Sequence, residues 1–458
     1  MEQIIVDQRA IRPAGKIATV LRKSALVSLG LTIVLIPLRL RLLLQSRPTP
    51  PVYRDYTDFV LFAADVFLMA TLLLWLTSLA LEPKPVRFRP RLLTLPLAGL
   101  TLFSALSIIA SVDRALSAYH AIRLLLLFGL YVYVLNEVTS LGQVIAPIAI
   151  QVAIQSAIGI GQILQQHSLG LNRLQELALD PMVQGISIVI KDGGRSLRAY
   201  GLTDHPNLLG GCLAFALVLM AAWYLRDGGR WRTLMVGVFV MGAVGLLVTF
   251  SRAAWVGLVG GLLLGIGWLL WTCRQSDVVK LLQLLAAVGL VLLPFAWSYA
   301  STLGTRLNWD DSFVAQPIES RSISERQALV GLANKIFSRR ILSGVGIGAF
   351  PIALHQVEPN LTFDYQPPHF VLLDVAAETG LFGATCYLLL MSVPWSLMWL
   401  ERHRLNVSFE LIGASGALLA VTLVGLFDYY PWMLNPGRLW QWLIWGLWGA
   451  AFVSALDR

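Results

Sequence analysis

The stretch Gln366-Pro-Pro-His-Phe-Val-Leu-Leu-Asp-Val-Ala-Ala-Glu-Thr-Gly380 places His369 at the end of a long polar loop, where the chain enters an apolar run. The two prolines end one element and permit a new helix to begin, because proline has a fixed φ and no N–H. Asp374 and Glu378 are four residues apart and would share a face of that helix. A titratable imidazole at this boundary is the first candidate for chemistry.

The composition shows what surrounds this stretch. The chain has 458 residues, of which 57% are hydrophobic and 13% are charged. Soluble domains carry roughly 25% charged residues, so the composition predicts an integral membrane protein in contact with a lipid bilayer. No nucleic-acid partner is expected. The cysteines have no metal-ligand spacing and no disulfide pattern.

Apolar runs recur along the chain at the length that a helix needs to cross a membrane, about 20 residues. They fall near 25–44, 58–81, 92–110, 118–136, 143–165, 208–225, 233–250, 253–272, 280–299, 376–400, 409–427 and 439–456. Backbone polar groups in hydrocarbon must be satisfied internally, which favours helices. We therefore predict an all-α integral membrane fold of about 12 transmembrane helices, with residues 1–458 as a single polytopic domain.

Basic residues in the short loops indicate the orientation, because cytoplasmic loops are enriched in Lys and Arg. They occur at the N-terminus and in alternate loops, at Arg9, Arg12, Lys16, Lys84, Arg87, Arg226, Arg230, Arg274, Lys280 and Arg402. This pattern predicts that both termini are cytoplasmic and that two long loops, 166–207 and 300–375, face outward. The larger loop should contain short helices, including one that begins at Ser324 and has helical apolar spacing.

The polar residues that this topology places on the outer side are candidates for function. They are Arg123, Arg195, Arg198, His205, Asn207, Arg252, Arg326, His369, Glu378 and Asp428. Each has a structural alternative. An arginine can snorkel, cap a helix or pair with a neighbouring carboxylate, a histidine can be an interfacial or turn residue, and an asparagine can be a helix N-cap. Arg123 lies deep in a predicted span, where a charge is expensive.

Several arginines converging on one outer cavity would suit a phosphate ligand. Guanidinium binds phosphate bidentately and stays charged at all physiological pH values. A diphosphate leaving group gains charge as its bond breaks, so fixed cations stabilise the transition state more than the ground state. A histidine can take the proton of an attacking hydroxyl. No metal or other cofactor is needed if arginines hold the diphosphate.

Four sequence elements, in order, resemble the O-antigen ligase and O-antigen polymerase superfamily of bacterial polytopic membrane proteins. They are Arg198 to Gly201 with His205-Pro206-Asn207, then Thr249-Phe-Ser-Arg252, then Arg326 with Gly344-Val-Gly-Ile-Gly-Ala-Phe350, and finally His369 with Glu378-Thr-Gly380 and Gly383. The family often has asparagine where this chain has Phe370. The glycines at 344–348 lack the context of a dinucleotide site and should serve a tight turn.

The resemblance implies a metal-independent, inverting glycosyltransferase with a helical fold of the C type, located in the bacterial inner membrane. The donor would be a glycan on undecaprenyl diphosphate, and the acceptor a hydroxyl of another glycan or of a lipid-linked sugar, as in lipopolysaccharide or polysaccharide biosynthesis. His369 would be the general base or would position the acceptor, and Arg198, Arg252 and Arg326 would bind the diphosphate. His205, Asn207, Glu378, Asp428 and Arg123 would support them.

A different class of function is also compatible with about twelve spans. A small-anion, bicarbonate-like transporter would place ionisable residues near the middle of the bilayer and contain paired broken helices. Here the polar residues gather at the outer ends of the spans instead. This distribution favours chemistry at the membrane surface over transport.

Overall fold

The protein is helical over most of its length. The structure, a computed structural model, describes residues 13–191, 194–226, 229, 231–307 and 317–457. Several sequence predictions lie outside these residues: Arg9 and Arg12 of the basic N-terminus, Arg230, and positions 308–316 of the larger loop. The helices are α1 Pro13–Leu35, α2 Ala63–Leu81, α3 Arg91–Leu106, α4 Arg114–Glu137, α5 Ile145–Gln165, α6 Pro206–Arg226, α7 Arg232–Leu247, α8 Arg252–Trp271, α9 Gln275–Ser298, α10 Ala300–Leu307, α11 Pro317–Arg339, α12 Phe350–Val357, α13 Val371–Leu400, α14 Phe409–Gly425, α15 Tyr430–Met433 and α16 Asn435–Leu456.

Ten of these helices are long and apolar enough to cross a membrane, and two shorter apolar helices, α7 and α14, have 16 and 17 residues. All twelve overlap the apolar runs of the sequence. The chain is therefore an all-α membrane protein in its described part, apart from two short hairpins. The number of helices that actually cross a bilayer stays a prediction.

The prediction of the first span, near residues 25–44, was wrong for its outer half. The helix ends at Leu35, before Pro37, because the residue before a proline is disfavoured in the helical conformation. Residues Arg41–Gln45 form strand β1, which pairs antiparallel with β2, Phe59–Phe62. The apolar residues of β1 are exposed, so they resemble a membrane segment in composition although they lie in a hairpin.

α6 and α16 form the centre of the bundle. Their most apolar windows are 94% and 78% buried, whereas that of α9 is 22% buried. A helix buried on all sides contacts protein and not lipid. The tryptophans of α16 fill this centre, and all four are essentially inaccessible: Trp440, Trp442, Trp445 and Trp448.

The loop after α11 folds back onto α13. Gly346 has φ +101°, and its N–H donates to the Glu378 carbonyl at 2.9 Å. A Cβ on Gly348 would lie 2.0 Å from Cδ2 of His120, so only glycine permits this approach. α13 breaks at Gly380, and Leu381 donates to the Ile341 carbonyl at 2.7 Å. The glycine-rich segment is thus a tight turn with close backbone contacts, as predicted.

The two long loops contain the remaining elements. The first, predicted over 166–207, holds hairpin β3–β4, with β3 at Ile188–Lys191 and β4 at Gly194–Leu197. In the second, predicted over 300–375, helix α11 is longer than the expected short helix, and α13 already begins at Val371. Because these loops carry most of the candidate residues, their packing positions the site.

Candidate active site

Arg198 and Asn207 lie at the centre of a hydrogen-bond network that joins three loops. Arg198, directly after β4, donates through Nε to the Thr249 carbonyl at 2.8 Å and through Nη2 to Asn207 Oδ1 at 2.6 Å. Asn207 then donates through Nδ2 to Asp428 Oδ2 at 2.8 Å. Arg198 and Asp428 are both buried. The network fixes the start of α6 against the α7–α8 turn and the end of α14.

His205 is held as a neutral imidazole beside this network. The backbone N–H of Asn207 donates to Nδ1 at 3.1 Å, so the proton of the ring lies on Nε2, which contacts Ser187 Oγ at 2.9 Å. Burial, and then the charge of Arg198, lower the pKa of His205 to about 3, and Asp428 opposes this shift. His369 and Arg326 lower the same pKa, so both lie within electrostatic range of His205.

His369 packs against Tyr429. Its ring meets the Tyr429 ring edge to face, with centroids 4.9 Å apart and planes at 80°. Nδ1 is buried and has no hydrogen-bond partner among the described residues. Burial, and then the charge of Arg326, lower the pKa of His369 to about 3. The ring is therefore neutral at pH 7, and its unpartnered nitrogen can accept a proton.

Arg326 and His369 line one open cavity of about 520 Å³. The other walls are mostly apolar: Gln327, Val330, Phe370, Leu426 and Phe427. Arg326 comes from α11, and its Nη1 makes only a long contact, 3.4 Å, with the Phe427 carbonyl. Phe370 contributes to the apolar wall. A cavity with a cation and a base on one side and apolar walls elsewhere suits an amphipathic ligand.

Arg252 belongs to the same region through its turn. It is the first residue of α8 and lies three positions after Thr249, whose carbonyl accepts the Arg198 bond. Gly210 of α6 packs so closely on this turn that a Cβ there would lie 2.9 Å from the Cβ of Ser251. The turn is thus clamped against α6, and Arg252 begins a helix next to the Arg198 network.

Two of the predicted supporting residues have other roles in the fold. Glu378 is fully buried; it accepts from Trp432 Nε1 at 2.8 Å and from the Phe350 N–H at 3.4 Å. These contacts hold the glycine-rich turn against α13. Arg123 forms a buried ion pair with Asp65 at 2.8 Å. Arg195 is exposed and donates to the Pro181 carbonyl, away from the network.

Tyr429 and Arg438 are the residues of this region that sequence reasoning missed. Tyr429 separates His369 from a second cavity, and its hydroxyl contacts that of Tyr56 at 2.8 Å. Arg438 is 1% exposed, in the first turn of α16. A charged residue at the edge of an apolar run is a usable signal of function. The last predicted run begins at residue 439, so Arg438 lies just outside it.

Within the described residues there is no group of three or more His, Cys, Asp and Glu side chains arranged to hold a metal ion. The chemistry available from the residues present is proton transfer at His369 and anion binding by the arginines. Metal independence of the reaction stays a prediction.

A protein-family model described as O-antigen ligase matches residues 237–388. The match covers about a third of the chain and includes Arg252, Arg326, His369 and Glu378, while Arg198, His205, Asn207 and Asp428 lie outside it. A comparison with curated proteins gave no match.

The family match confirms the resemblance to the O-antigen ligase and polymerase superfamily. The family match and the apolar helices support a multi-pass bacterial membrane protein. The match gives no support to the transporter alternative.

Proposed function

We propose that this protein transfers a glycan from undecaprenyl diphosphate to the hydroxyl of an acceptor, at the outer face of the bacterial inner membrane. The observation that carries the proposal is the cavity that Arg326 and His369 line together with apolar walls, where the buried Nδ1 of His369 has no partner among the described residues. The cation suits the diphosphate, and the apolar walls suit the polyprenyl chain.

In the proposed reaction, the acceptor oxygen attacks the anomeric carbon while the bond from that carbon to the diphosphate oxygen breaks. The electron pair of the breaking bond leaves with the diphosphate, whose growing charge is stabilised by Arg326, Arg252 and Arg198. His369 accepts the hydroxyl proton at a ring nitrogen. A single displacement of this kind inverts the configuration at the anomeric carbon. A metal ion has no necessary role.

The low pKa of free His369 is compatible with this role. A bound diphosphate brings negative charge next to the ring, and an adjacent negative charge raises a histidine pKa. The base therefore becomes stronger when the donor is present. The supporting residues act on orientation: Asn207 and Asp428 fix Arg198, and His205 lines a neighbouring cavity that Tyr429 also lines.

The proposal is tested with purified protein, an undecaprenyl-diphosphate glycan and a candidate acceptor in the presence of EDTA. Product formation that requires His369 and Arg252 supports it. Uptake of bicarbonate into liposomes without any cleavage of the donor would overturn it.

A further inference from the structure

A second cavity, of about 190 Å³, lies behind Tyr429, and both Tyr429 and His205 also contribute to its walls. Its lining is polar and aromatic, unlike that of the first cavity. The residues that matter here are Arg41, Tyr53, Tyr56, Asp204, Asn435 and Arg438. Pockets for drug-sized ligands measure roughly 300–1,000 Å³. This one is too small for an oligosaccharide or a lipid tail and fits a single sugar ring.

The carboxylates of this cavity already have cationic partners. Arg41 contacts Asp55 at 2.7 Å and Asp204 at 3.6 Å. Asp58 pairs with Arg54 at 3.3 Å. These pairs leave no carboxylate of the lining in need of a cation.

Arg438 differs from the other cations of the cavity. Its Nε donates to the Trp432 carbonyl, and its Nη1 contacts Nδ1 of His120 at 2.9 Å. Its Nη2 is buried and has no hydrogen-bond partner in the part of the chain that the structure describes. No carboxylate there lies within 4.0 Å of the guanidinium, although Glu378 and Asp374 act on it at longer range. A buried cation without a contacting anion is costly.

The other walls suit the body of a sugar. Tyr53 and Tyr56 present aromatic rings, which pack on the apolar faces of pyranoses, and each has a hydroxyl group. Asn435 and Asp204 add amide and carboxylate oxygens that accept hydrogen bonds from sugar hydroxyls. The guanidinium of Arg438 would then bind the charged group of the sugar through its free N–H.

We propose that the second cavity binds one sugar residue of the acceptor glycan and that this residue carries a carboxylate or a phosphate held by Arg438. This assignment rests on the proposed glycan transfer. The apolar first cavity suits the lipid-linked donor, which leaves the polar cavity across Tyr429 for the acceptor. The protein therefore selects an acidic acceptor.

The test measures binding directly, with full-length protein in nanodiscs and saturation-transfer NMR. The probes are methyl glucuronide, glucose 6-phosphate and methyl glucoside. We expect at least one of the two charged sugars to bind about tenfold or more tighter than methyl glucoside, and the tighter one identifies the anionic group. Arg438→Gln should abolish this preference, whereas Arg404→Gln, on an exposed arginine, should leave it unchanged. Equal binding of all three sugars to the native protein would overturn the proposal, as would a preference unchanged in Arg438→Gln.

The elution of Arg438→Gln on gel filtration and its unfolding temperature show whether this variant folds. A second variant keeps the proposal testable if it does not. Tyr53 is 54% exposed, so Tyr53→Ala leaves the interior intact. It should weaken binding of the charged sugars several-fold, and unchanged binding contradicts the assignment. The two proposals fail separately: sugar binding without donor cleavage rejects the transfer reaction, and donor cleavage without any preference for charged sugars rejects the acidic acceptor.

Discussion

Asn207 Nδ2 donates to Asp428 Oδ2 at 2.8 Å, across 221 positions of sequence, and the same Asn207 accepts from Arg198 at its Oδ1. One amide side chain therefore forms hydrogen bonds with both a guanidinium and a carboxylate. Each of these charged groups is buried. The position of the Arg198 side chain thus depends on a residue that has no charge of its own.

Replacing Asn207 with Ala should misorient Arg198 and reduce transfer about tenfold or more. Both buried partners lose a hydrogen bond, and each orphaned group costs about 1–3 kcal/mol. The measurements are the rate of glycan transfer and the unfolding temperature. Asn136→Ala is the matched control, because the side-chain hydrogen bonds of Asn136, at the C-terminal end of α4, all go to backbone groups of Arg87 and Val132. Equal rates in both variants would contradict the role of Asn207.

His369→Ala should reduce kcat by about 10²- to 10⁴-fold, the usual contribution of a positioned general base. The donor should still bind, because the arginines remain, and its Kd can be measured by isothermal titration. His403→Ala, on an exposed histidine, should retain full activity. A His369→Ala protein with native kcat would remove His369 from the mechanism.

The pH dependence of kcat/KM should reflect the low pKa of His369 in the free enzyme, about 3. The base is active when neutral, so activity is retained above this pKa and lost only as the pH falls through it. Between pH 8 and 5, His369 should therefore cause no decrease in kcat/KM. The kcat profile describes the donor complex and should show a higher apparent pKa, because the diphosphate is anionic. A decrease in kcat/KM centred near pH 6.5 would show that burial does not lower this pKa.

Arg326→Ala should raise the KM for the donor by about 10- to 100-fold, since a charge-assisted hydrogen bond contributes about 1.5–3 kcal/mol. Arg326→Lys should restore part of the affinity, because it keeps the charge without the bidentate geometry. Arg321→Ala is a control on the same helix, where Arg321 pairs with Glu325 at 2.7 Å. A donor KM that rises equally in the Arg321 and Arg326 variants would indicate a general effect of charge on α11.

The predicted orientation can be tested with cysteine labelling in intact cells. Ser324→Cys, at an exposed position of the larger loop, should react with an impermeant maleimide from outside. The native Cys273 is also exposed and lies between α8 and α9, where the prediction is cytoplasmic, so it should label only after permeabilisation. The opposite pattern would invert the topology.

The sequence was sufficient to predict the helices. A helix that crosses hydrocarbon needs a minimum length and an apolar composition, and both are visible in the sequence without any knowledge of tertiary contacts. It failed at Arg41–Gln45, where an apolar run pairs as a strand with Phe59–Phe62. Such pairing depends on a partner distant in sequence, and composition alone does not reveal it. The network around Asn207 has the same origin, because a side chain in the first long loop contacts one at the end of α14.

The roles of individual candidates were harder to predict than their identity. Glu378 and Arg123 are polar residues in apolar surroundings, which is the sequence signal for function. In the structure, Glu378 accepts a hydrogen bond from Trp432, and Arg123 forms an ion pair with Asp65. The same signal marks catalytic and structural charges alike, and the contacts of the side chain distinguish them. Tyr429 gave no signal at all, since an aromatic residue at a helix end is ordinary in membrane proteins.

The central position of α6 and α16 affects how the protein responds to its lipid environment. Both helices begin at the second cavity, α6 directly after His205 and α16 with Asn435 and Arg438. Mismatch between a bilayer and a hydrophobic helix is relieved by tilting of the helices that contact lipid. The outer helices, such as α1 and α9, leave most of their apolar windows exposed, while α6 and α16 are largely surrounded by protein. We therefore expect the geometry of the site to depend little on membrane thickness.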